Sequence, residues 1–168
     1  MRIFVEAGHG QDYRKRGEYD IGWLDDRRNQ EATICWEYDL RLVAALRSSG
    51  YSAIGYKVGP IAERLKRAFK YDSELVVSLH LGMDPSGAKG GRVLYATEGS
   101  VEIADALGSA LGFTVEKVGL AGMLMFNPSV EIELGNIVCW DDMKRLGCEA
   151  AAQELFSRLA DALTGLGL

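Results

Sequence analysis

The sequence is poor in the residue types that build several common kinds of functional site. Its three cysteines, Cys35, Cys139 and Cys148, are an odd number without C-x-x-C spacing, so neither a disulfide framework nor a thiolate zinc site is indicated. No G-x-S-x-G motif is present, and a covalent mechanism through serine therefore lacks support. Only two histidines occur, His9 and His80. Covalent catalysis by cysteine would need one of them as its activating base.

An excess of positive charge and a long apolar run are also missing. The formal net charge is −5, and the basic residues are interleaved with acidic ones, which argues against a nucleic acid partner. No apolar run reaches the ~18 residues of a membrane span. The segment after Arg2 has no signal-peptide core. We therefore expect no nucleic acid partner, no membrane span, and synthesis in the cytoplasm without a signal peptide.

The chain alternates between strand-like and helix-like segments within 168 residues. Apolar runs and period-2 alternation predict strands at 2–7, 51–56, 74–80, 91–97, 113–118, 122–126 and 129–135. Helical periodicity predicts helices at 29–50, 60–71, 99–112 and 150–163. This alternation predicts a single α/β domain over residues 1–168, with a mixed, mostly parallel sheet covered by helices on both faces.

Both histidines follow apolar strand-like runs, His9 in "VEAGHG" and His80 in "VVSLHLG". Ligands of open α/β sheets bind at the carboxyl ends of strands, so the two imidazoles are expected to meet in one cleft. Imidazole is the commonest metal ligand in proteins. A catalytic zinc ion often takes two histidines and one carboxylate and keeps a position open. The histidines therefore predict a zinc site that needs a third ligand.

Three glutamates compete to be that third ligand. Glu31 opens the first predicted helix, where the chain emerges from the loop that begins after His9. Glu18 lies within the loop, and Glu37 lies nearly two turns further along the helix, away from the carboxyl edge of the sheet. We favour Glu31.

The segment "SVEIELG" at 129–135 carries a candidate for proton transfer. Its alternation places Val130, Ile132 and Leu134 on one face and Glu131 and Glu133 on the other. Glu133 is at the carboxyl end of the strand, near the expected cleft, where a carboxylate can act as general base and acid in metal-assisted hydrolysis. For Glu131 we expect a solvated position on an edge strand.

These segments together resemble a known family. The combination of "VEAGHG", a glutamate that opens a helix, "AERLKRAF…ELVVSLH", "GGRVLY" and "NPSVEIELGN" resembles the zinc-dependent N-acetylmuramoyl-L-alanine amidases of the type 3 class over essentially the whole chain. The resemblance implies a mixed six-stranded sheet, zinc bound by His9, Glu31 and His80, and Glu133 as the catalytic glutamate. The implied reaction cleaves the amide between N-acetylmuramic acid and L-alanine of peptidoglycan.

The match has departures, which concern the substrate subtype more than the zinc ligands. The family usually has other residues at Glu6, Gln11 and Gly82, and a T-R pair where this chain reads "GYKVG". A zinc peptidase acting on another peptide and a non-catalytic peptidoglycan-binding relative are the alternatives. We expect a monomeric catalytic domain without a wall-binding module, similar to a phage endolysin released by a holin.

The irregular segment 10–28 is the longest stretch without a predicted element. It carries several basic residues around Trp23, namely Arg14, Lys15, Arg16, Arg27 and Arg28. They could contact carboxylates of the stem peptide, but a solvated face is the simpler interpretation.

Overall fold

The computed structural model of the chain describes residues 1–11, 19–24 and 30–167. The strands in these ranges are β1 (Arg2–Ala7), β2 (Gly10–Gln11), β3 (Tyr19–Asp20), β4 (Ser52–Tyr56), β5 (Leu75–Gly82), β6 (Arg92–Tyr95), β7 (Thr114–Lys117) and β8 (Ser129–Asn136). The helices are α1 (Glu31–Ser48), α2 (Ile61–Lys70), α3 (Val101–Leu111), α4 (Trp140–Leu146) and α5 (Glu149–Gly165). Within the same ranges, 3-10 turns span Glu98–Ser100 and Gly122–Met125.

Six of these strands form one mixed sheet in the order β4-β1-β5-β8-β6-β7. All neighbouring strands in it run parallel except β6 and β8, which are antiparallel. Parallel neighbours need long crossover connections, and helices supply them here. The predicted single α/β domain with a mixed, mostly parallel sheet is confirmed.

Helices cover both faces of the sheet, but unequally. The larger core packs α1, α3 and α5 against one face, to which Ile3 and Val5 of β1 point. The smaller core lies on the opposite face, where Phe4 packs with Ala68 of α2 and with Phe126. Because side chains alternate along a strand, Glu6 of β1 shares this second face with Phe4.

Helix α1 shows why the sequence pattern is reliable for long elements. Leu42, Val43 and Leu46 recur at helical spacing and are buried against the sheet. Gly50, just beyond the helix, has φ +89, a conformation that favours glycine. The predicted helix therefore ends where the glycine indicates.

Several predictions about local structure are wrong. The strand predicted at 122–126 is replaced by a 3-10 turn over Gly122–Met125, in which Met123 and Leu124 are both buried instead of alternating. The short helix α4 was not predicted. The segment 10–28 is not wholly irregular, since β2 and β3 pair antiparallel within it.

The predicted solvated edge position of Glu131 is also wrong. Strand β8 lies between β5 and β6 and is therefore a central strand of the sheet. An edge position cannot be distinguished from a central one by the alternation of a single strand, because the strand order depends on the connections.

None of the described helices has the length and apolarity needed to cross a membrane.

Candidate metal centre

Three side chains from distant parts of the sequence converge at the carboxyl edge of the sheet. His9 lies in the turn after β1, His80 lies near the end of β5, and Glu31 is the first residue of α1. One ligand atom from each residue lies within 4.8 Å of the others. The fold thus brings together the three residues that the sequence predicted as metal ligands.

The carboxylate of Glu31 is the centre of this group. Its Oε2 lies 3.2 Å from Nε2 of His9, and its Oε1 lies 3.1 Å from Nδ1 of His80. The backbone N–H groups of Trp23 and Leu81 donate to the same two oxygens, at 3.0 and 2.9 Å. Glu31 is fully buried, and these four contacts hold both of its oxygens toward the histidines.

The electrostatics of the group favour a charged carboxylate. Burial alone would raise the pKa of Glu31, but its hydrogen bonds to His80 and His9 lower the pKa well below its usual range. Burial opposes a charge on His80, yet the hydrogen bond to Glu31 and nearby carboxylates raise its pKa to about 9. The hydrogen bond to Glu31 likewise raises the pKa of His9. A positive charge beside the Glu31 carboxylate is therefore favoured, whether it is carried by a protonated histidine or by a bound cation.

Two glycines make room for the converging side chains. A Cβ atom on Gly8 would lie 2.4 Å from the ring of His80. A Cβ atom on Gly22 would lie 2.6 Å from both Oε2 of Glu31 and the ring of His9. His9 itself has φ +62, an uncommon conformation for a residue other than glycine. The turn around His9 is thus shaped by the site and not by local preference.

Asp20 of β3 orients His9 from the side opposite Glu31. Nδ1 of His9 lies 3.0 Å from Oδ2 of Asp20, and the N–H of Gly22 donates to Oδ1 of Asp20 at 3.0 Å. Metal-binding histidines commonly donate their second ring N–H to a carboxylate, which fixes the tautomer and leaves the other nitrogen free to bind the ion. This arrangement leaves Nε2 of His9 facing Glu31 and available to a metal.

Arg64 of α2 fixes the turn that carries His9. Its buried guanidinium pairs with Glu6 and donates to the carbonyl oxygens of Ala7, at 2.9 Å, and His9, at 2.5 Å. Ser78, two residues before His80, donates to the other oxygen of Glu6. The Glu6–Arg64 pair therefore connects the strand of each histidine to α2.

A cavity of about 630 Å³ opens beside the two histidines on the face of the sheet that carries α2. Its polar lining residues include His9, His80, Asp20, Glu6 and Glu131. The apolar residues include Pro60, Ile61, Leu94, Met123 and Leu124. Such a cavity can hold a ligand with both a polar and an apolar part.

Glu131 differs from the other carboxylates of this cavity, because among the described residues it has no hydrogen-bond or ion-pair partner. Burial raises the pKa of Glu131, although the charge of His80 opposes the shift. Glu131, for which we expected a solvated position on an edge strand, thus faces the histidine cavity.

Glu133 lies directly opposite His80 in the register of β5 and β8. Its side chain, however, is paired with Arg92 of β6 and lines a second cavity of about 480 Å³. The predicted proton-transfer residue is therefore beside the histidines along the backbone, while its carboxylate is bound to an arginine.

The remaining sequence candidates have less connection to the site. Glu37 is exposed on α1, whereas Glu18 lies outside the described residues. Trp23 is half exposed. Cys35 is buried, and burial raises the pKa of its thiol, as expected of a cysteine without a catalytic role. The basic residues suggested for the loop also lie outside the described ranges: Arg14, Lys15, Arg16, Arg27 and Arg28.

Sequence reasoning missed three residues that contact the candidate site residues. Asp20 lies two residues before Gly22, in the segment that follows His9, and could have been suspected as a partner of His9. Arg92 is the first residue of β6 and shares a face with Leu94, which places a charge on the same face as the glutamates. No sequence signal distinguishes Arg64 from the other basic residues of α2.

The donor set fits a divalent transition metal. Two imidazole nitrogens and one carboxylate oxygen form a common ligand set for catalytic zinc, with the fourth position left for water or substrate. The neighbouring Asp20 supplies the outer partner that such a histidine usually has.

Comparisons with known proteins agree with this geometry. A sequence model of the family described as N-acetylmuramoyl-L-alanine amidase matches residues 3–165. No curated protein sequence matches the chain. Among solved structures, the N-acetylmuramoyl-L-alanine amidase AmiC2 of Nostoc punctiforme is 17% identical, with a TM-score of 0.85 and coverage of 100% of this chain and 98% of that chain.

Two further structures share the fold. The amidase Ami1 from Mycobacterium smegmatis is 22% identical, with a TM-score of 0.82 and coverage of 98% of this chain and 95% of that one. The catalytic domain of the CD27L endolysin targeting Clostridia difficile is 18% identical, with a TM-score of 0.82 and coverage of 98% and 97%. At these identities, the structures support the fold, and the match over residues 3–165 supports the family.

Proposed function

The chain belongs to the N-acetylmuramoyl-L-alanine amidase family, and we propose that it hydrolyses its amide substrate with a zinc ion bound by His9, Glu31 and His80. The substrate is peptidoglycan, and the bond cleaved joins N-acetylmuramic acid to L-alanine. The convergence of three ligand atoms within 4.8 Å is the observation that carries the metal assignment.

The ligand set determines what the metal contributes. When bound, zinc lowers the pKa of water toward ~7 and polarises the scissile carbonyl. Glu31 supplies the negative charge of the site, and its two backbone hydrogen bonds keep it oriented. Asp20 holds the ring of His9 in one tautomer. The cavity beside the histidines accommodates the substrate on both sides of the scissile amide.

We assign proton transfer to Glu133. As general base it takes a proton from the attacking water, and as general acid it returns that proton to the leaving nitrogen of L-alanine. Its position opposite His80 on the neighbouring strand supports the assignment. The carboxylate must leave its pairing with Arg92 to perform this step.

The biological role we propose is lysis of the cell wall by an endolysin-type enzyme. The family match supports an amidase over a zinc peptidase acting on another peptide, and the catalytic domain of CD27L endolysin is one enzyme that shares the fold. Two further points stay predictions, namely release by a separate factor such as a holin and a monomeric state. Size-exclusion chromatography with light scattering tests the last of these.

One experiment tests the proposed reaction. Purified sacculi are digested with the zinc-loaded protein, and the released fragments are analysed by mass spectrometry. Free lactyl groups on muramic acid together with new L-alanine amino termini are the expected products. Cuts within the stem peptide would instead identify an endopeptidase, and bound but uncut sacculi would identify a wall-binding protein.

The metal dependence is tested with the same substrate. A chelator should abolish hydrolysis, and stoichiometric zinc should restore it, with about one zinc per chain. Full activity in protein shown to be free of metal would refute the zinc assignment.

A further inference from the structure

Three neighbouring strands place a histidine, a glutamate and an arginine in one row across the sheet. Glu133 of β8 is opposite His80 of β5 on one side and opposite Arg92 of β6 on the other. The adjacent row contains Glu131, which is opposite Leu94 of β6. Both rows lie on the face of the sheet that carries α2.

These rows show that the two cavities adjoin each other. His80, Glu131 and Leu94 line the larger cavity. Gly82, Glu133 and Arg92 line the second cavity. Gly82 and Glu133 come two residues later in β5 and β8, and Arg92 comes two residues before Leu94 in the antiparallel β6. Two residues of a strand span about 7 Å. The second cavity therefore continues the surface of the first along the sheet, at the distance of a neighbouring substrate group.

Arg92 forms an ion pair with Glu133 and also lines the second cavity with its guanidinium. Its Nε lies 2.6 Å from Oε2 of Glu133, and its Nη2 lies 3.0 Å from Oε1. Its Nη1 lies 3.3 Å from Oε2 of Glu116 on the edge strand β7. The side chain of Arg92 is 46% exposed, whereas that of Glu133 is 13% exposed. An incoming ligand can thus reach the guanidinium.

The ion pair holds the carboxylate of Glu133 and also shows what kind of group Arg92 can bind. A bidentate arginine–carboxylate pair is among the strongest charge-assisted contacts, and here it engages both oxygens of Glu133. The same planar guanidinium is well suited to bind a carboxylate of a ligand. Lys89 and Asp84 also line the second cavity, and Asp141 lies 3.7 Å from Nζ of Lys89.

We propose that the second cavity is a subsite for a carboxylate of the peptide substrate, and that Arg92 exchanges Glu133 for this carboxylate when the substrate binds. The exchange breaks one ion pair and forms another, and it transfers neither a proton nor an electron. Glu133 is then free to turn toward the histidine cavity and accept a proton. The inference rests on the proposed function, since it assumes that Glu133 is the base.

The test compares two soluble muramoyl peptides that differ in one feature. One has free carboxylates on its stem peptide, and the other has the same carboxylates converted to amides. Zinc-loaded wild-type protein should cleave the first with a kcat/KM about tenfold higher or more, because a charge-assisted contact is replaced by a weaker neutral one.

Substitution of Arg92 should remove this discrimination. Arg92→Ala should raise KM for the carboxylate peptide, while its kcat on the amide peptide should exceed that of wild type, because Glu133 is no longer paired. Arg92→Lys keeps the charge without the bidentate geometry and should discriminate to an intermediate degree. Glu116→Gln is the matched control, since it removes the other partner of Arg92 and should keep the wild-type ratio.

Zinc content and thermal unfolding are measured for each variant, and the lysine variant carries the test if the alanine variant is unstable. Equal cleavage of both peptides by wild type would overturn the subsite while leaving the proposed function intact. An equal loss on both peptides in Arg92→Ala would show that Arg92 only positions Glu133. Failure of zinc-loaded wild type to cleave either peptide, or sacculi, would overturn the proposed function itself.

Discussion

Oδ2 of Asp20 lies 3.0 Å from Nδ1 of His9, and the other ring nitrogen of His9, Nε2, faces Glu31. The carboxylate of Asp20 accepts the Nδ1 proton of His9, and this contact selects the tautomer in which Nε2 can bind a metal. Asp20 of β3 thereby selects the tautomer of His9 in the turn after β1.

Asp20→Asn should weaken zinc binding by about 10–100-fold without removing the ion entirely, because the amide supports the required tautomer less strongly than the carboxylate. Competition with a fluorescent chelator measures the affinity. Asp105→Asn, at an exposed position on α3, is the control and should bind zinc like wild type. Equal affinities in Asp20→Asn and wild type would show that the contact does not orient the ligand.

Glu31→Gln should lose most of its zinc, since the substitution removes the negative charge that both histidines face. Glu37→Gln lies on the same helix at an exposed position and should retain wild-type zinc content. Elemental analysis measures the zinc content of the two purified variants. Zinc retained in Glu31→Gln but lost in Glu18→Gln would assign the third ligand to the loop.

The parts of this site that the sequence predicts share a simple physical origin. His9 and His80 end apolar strands, and parallel strands that run through one sheet place their carboxyl ends at the same edge. Glu31 opens a helix whose apolar periodicity runs on to Leu46, so its position is fixed by a long and regular element.

The contacts that sequence reasoning missed depend on strand order and register. Arg92 and Glu133 are 41 residues apart and meet only because β6 runs antiparallel to β8. The alternation around Glu131 gives its face correctly but cannot reveal that β5 and β6 cover both edges of β8. Such pairings require the whole topology, which a single strand does not contain.

Asp39 makes the free energy of unfolding depend on pH. It is fully buried on α1, where burial, followed by the charge of Glu6, raises its pKa from 3.8 to about 8. The folded protein therefore keeps a proton that the unfolded chain releases above pH 3.8. The stability that the protonated Asp39 contributes is fully present below pH 3.8 and is lost as the pH rises through about 8.

Relative to wild type, Asp39→Asn should therefore gain stability as the pH rises from about 4 to 8, by at most about 1.4 kcal/mol per pH unit. Urea unfolding of the metal-free proteins over this range measures the difference. Asp105→Asn should follow wild type at every pH. A constant difference between Asp39→Asn and wild type would mean that Asp39 ionises normally in the folded protein.

Glu133→Gln tests the base without changing the size of the side chain. The variant should keep its zinc and its fold, because Glu133 does not contact the three candidate ligands through any described hydrogen bond or ion pair. Its turnover of sacculi should fall by about 10²–10⁴-fold, the usual contribution of general acid–base catalysis. Zinc content, binding to sacculi and release of L-alanine amino termini are measured together, with Glu102→Gln at an exposed position on α3 as the neutral control.

Glu131→Gln separates the two carboxylates of β8. Glu131 lines the histidine cavity, but it lies two residues further from the carboxyl end of β8 than Glu133. We therefore expect a smaller loss of turnover than in Glu133→Gln. The amide also keeps the hydrogen-bonding capacity of a side chain whose charged form is disfavoured by burial. Near-normal turnover in Glu133→Gln, or an inactive Glu131→Gln that retains its zinc, would assign the proton transfer to Glu131, because this carboxylate already faces the cavity without a partner among the described residues.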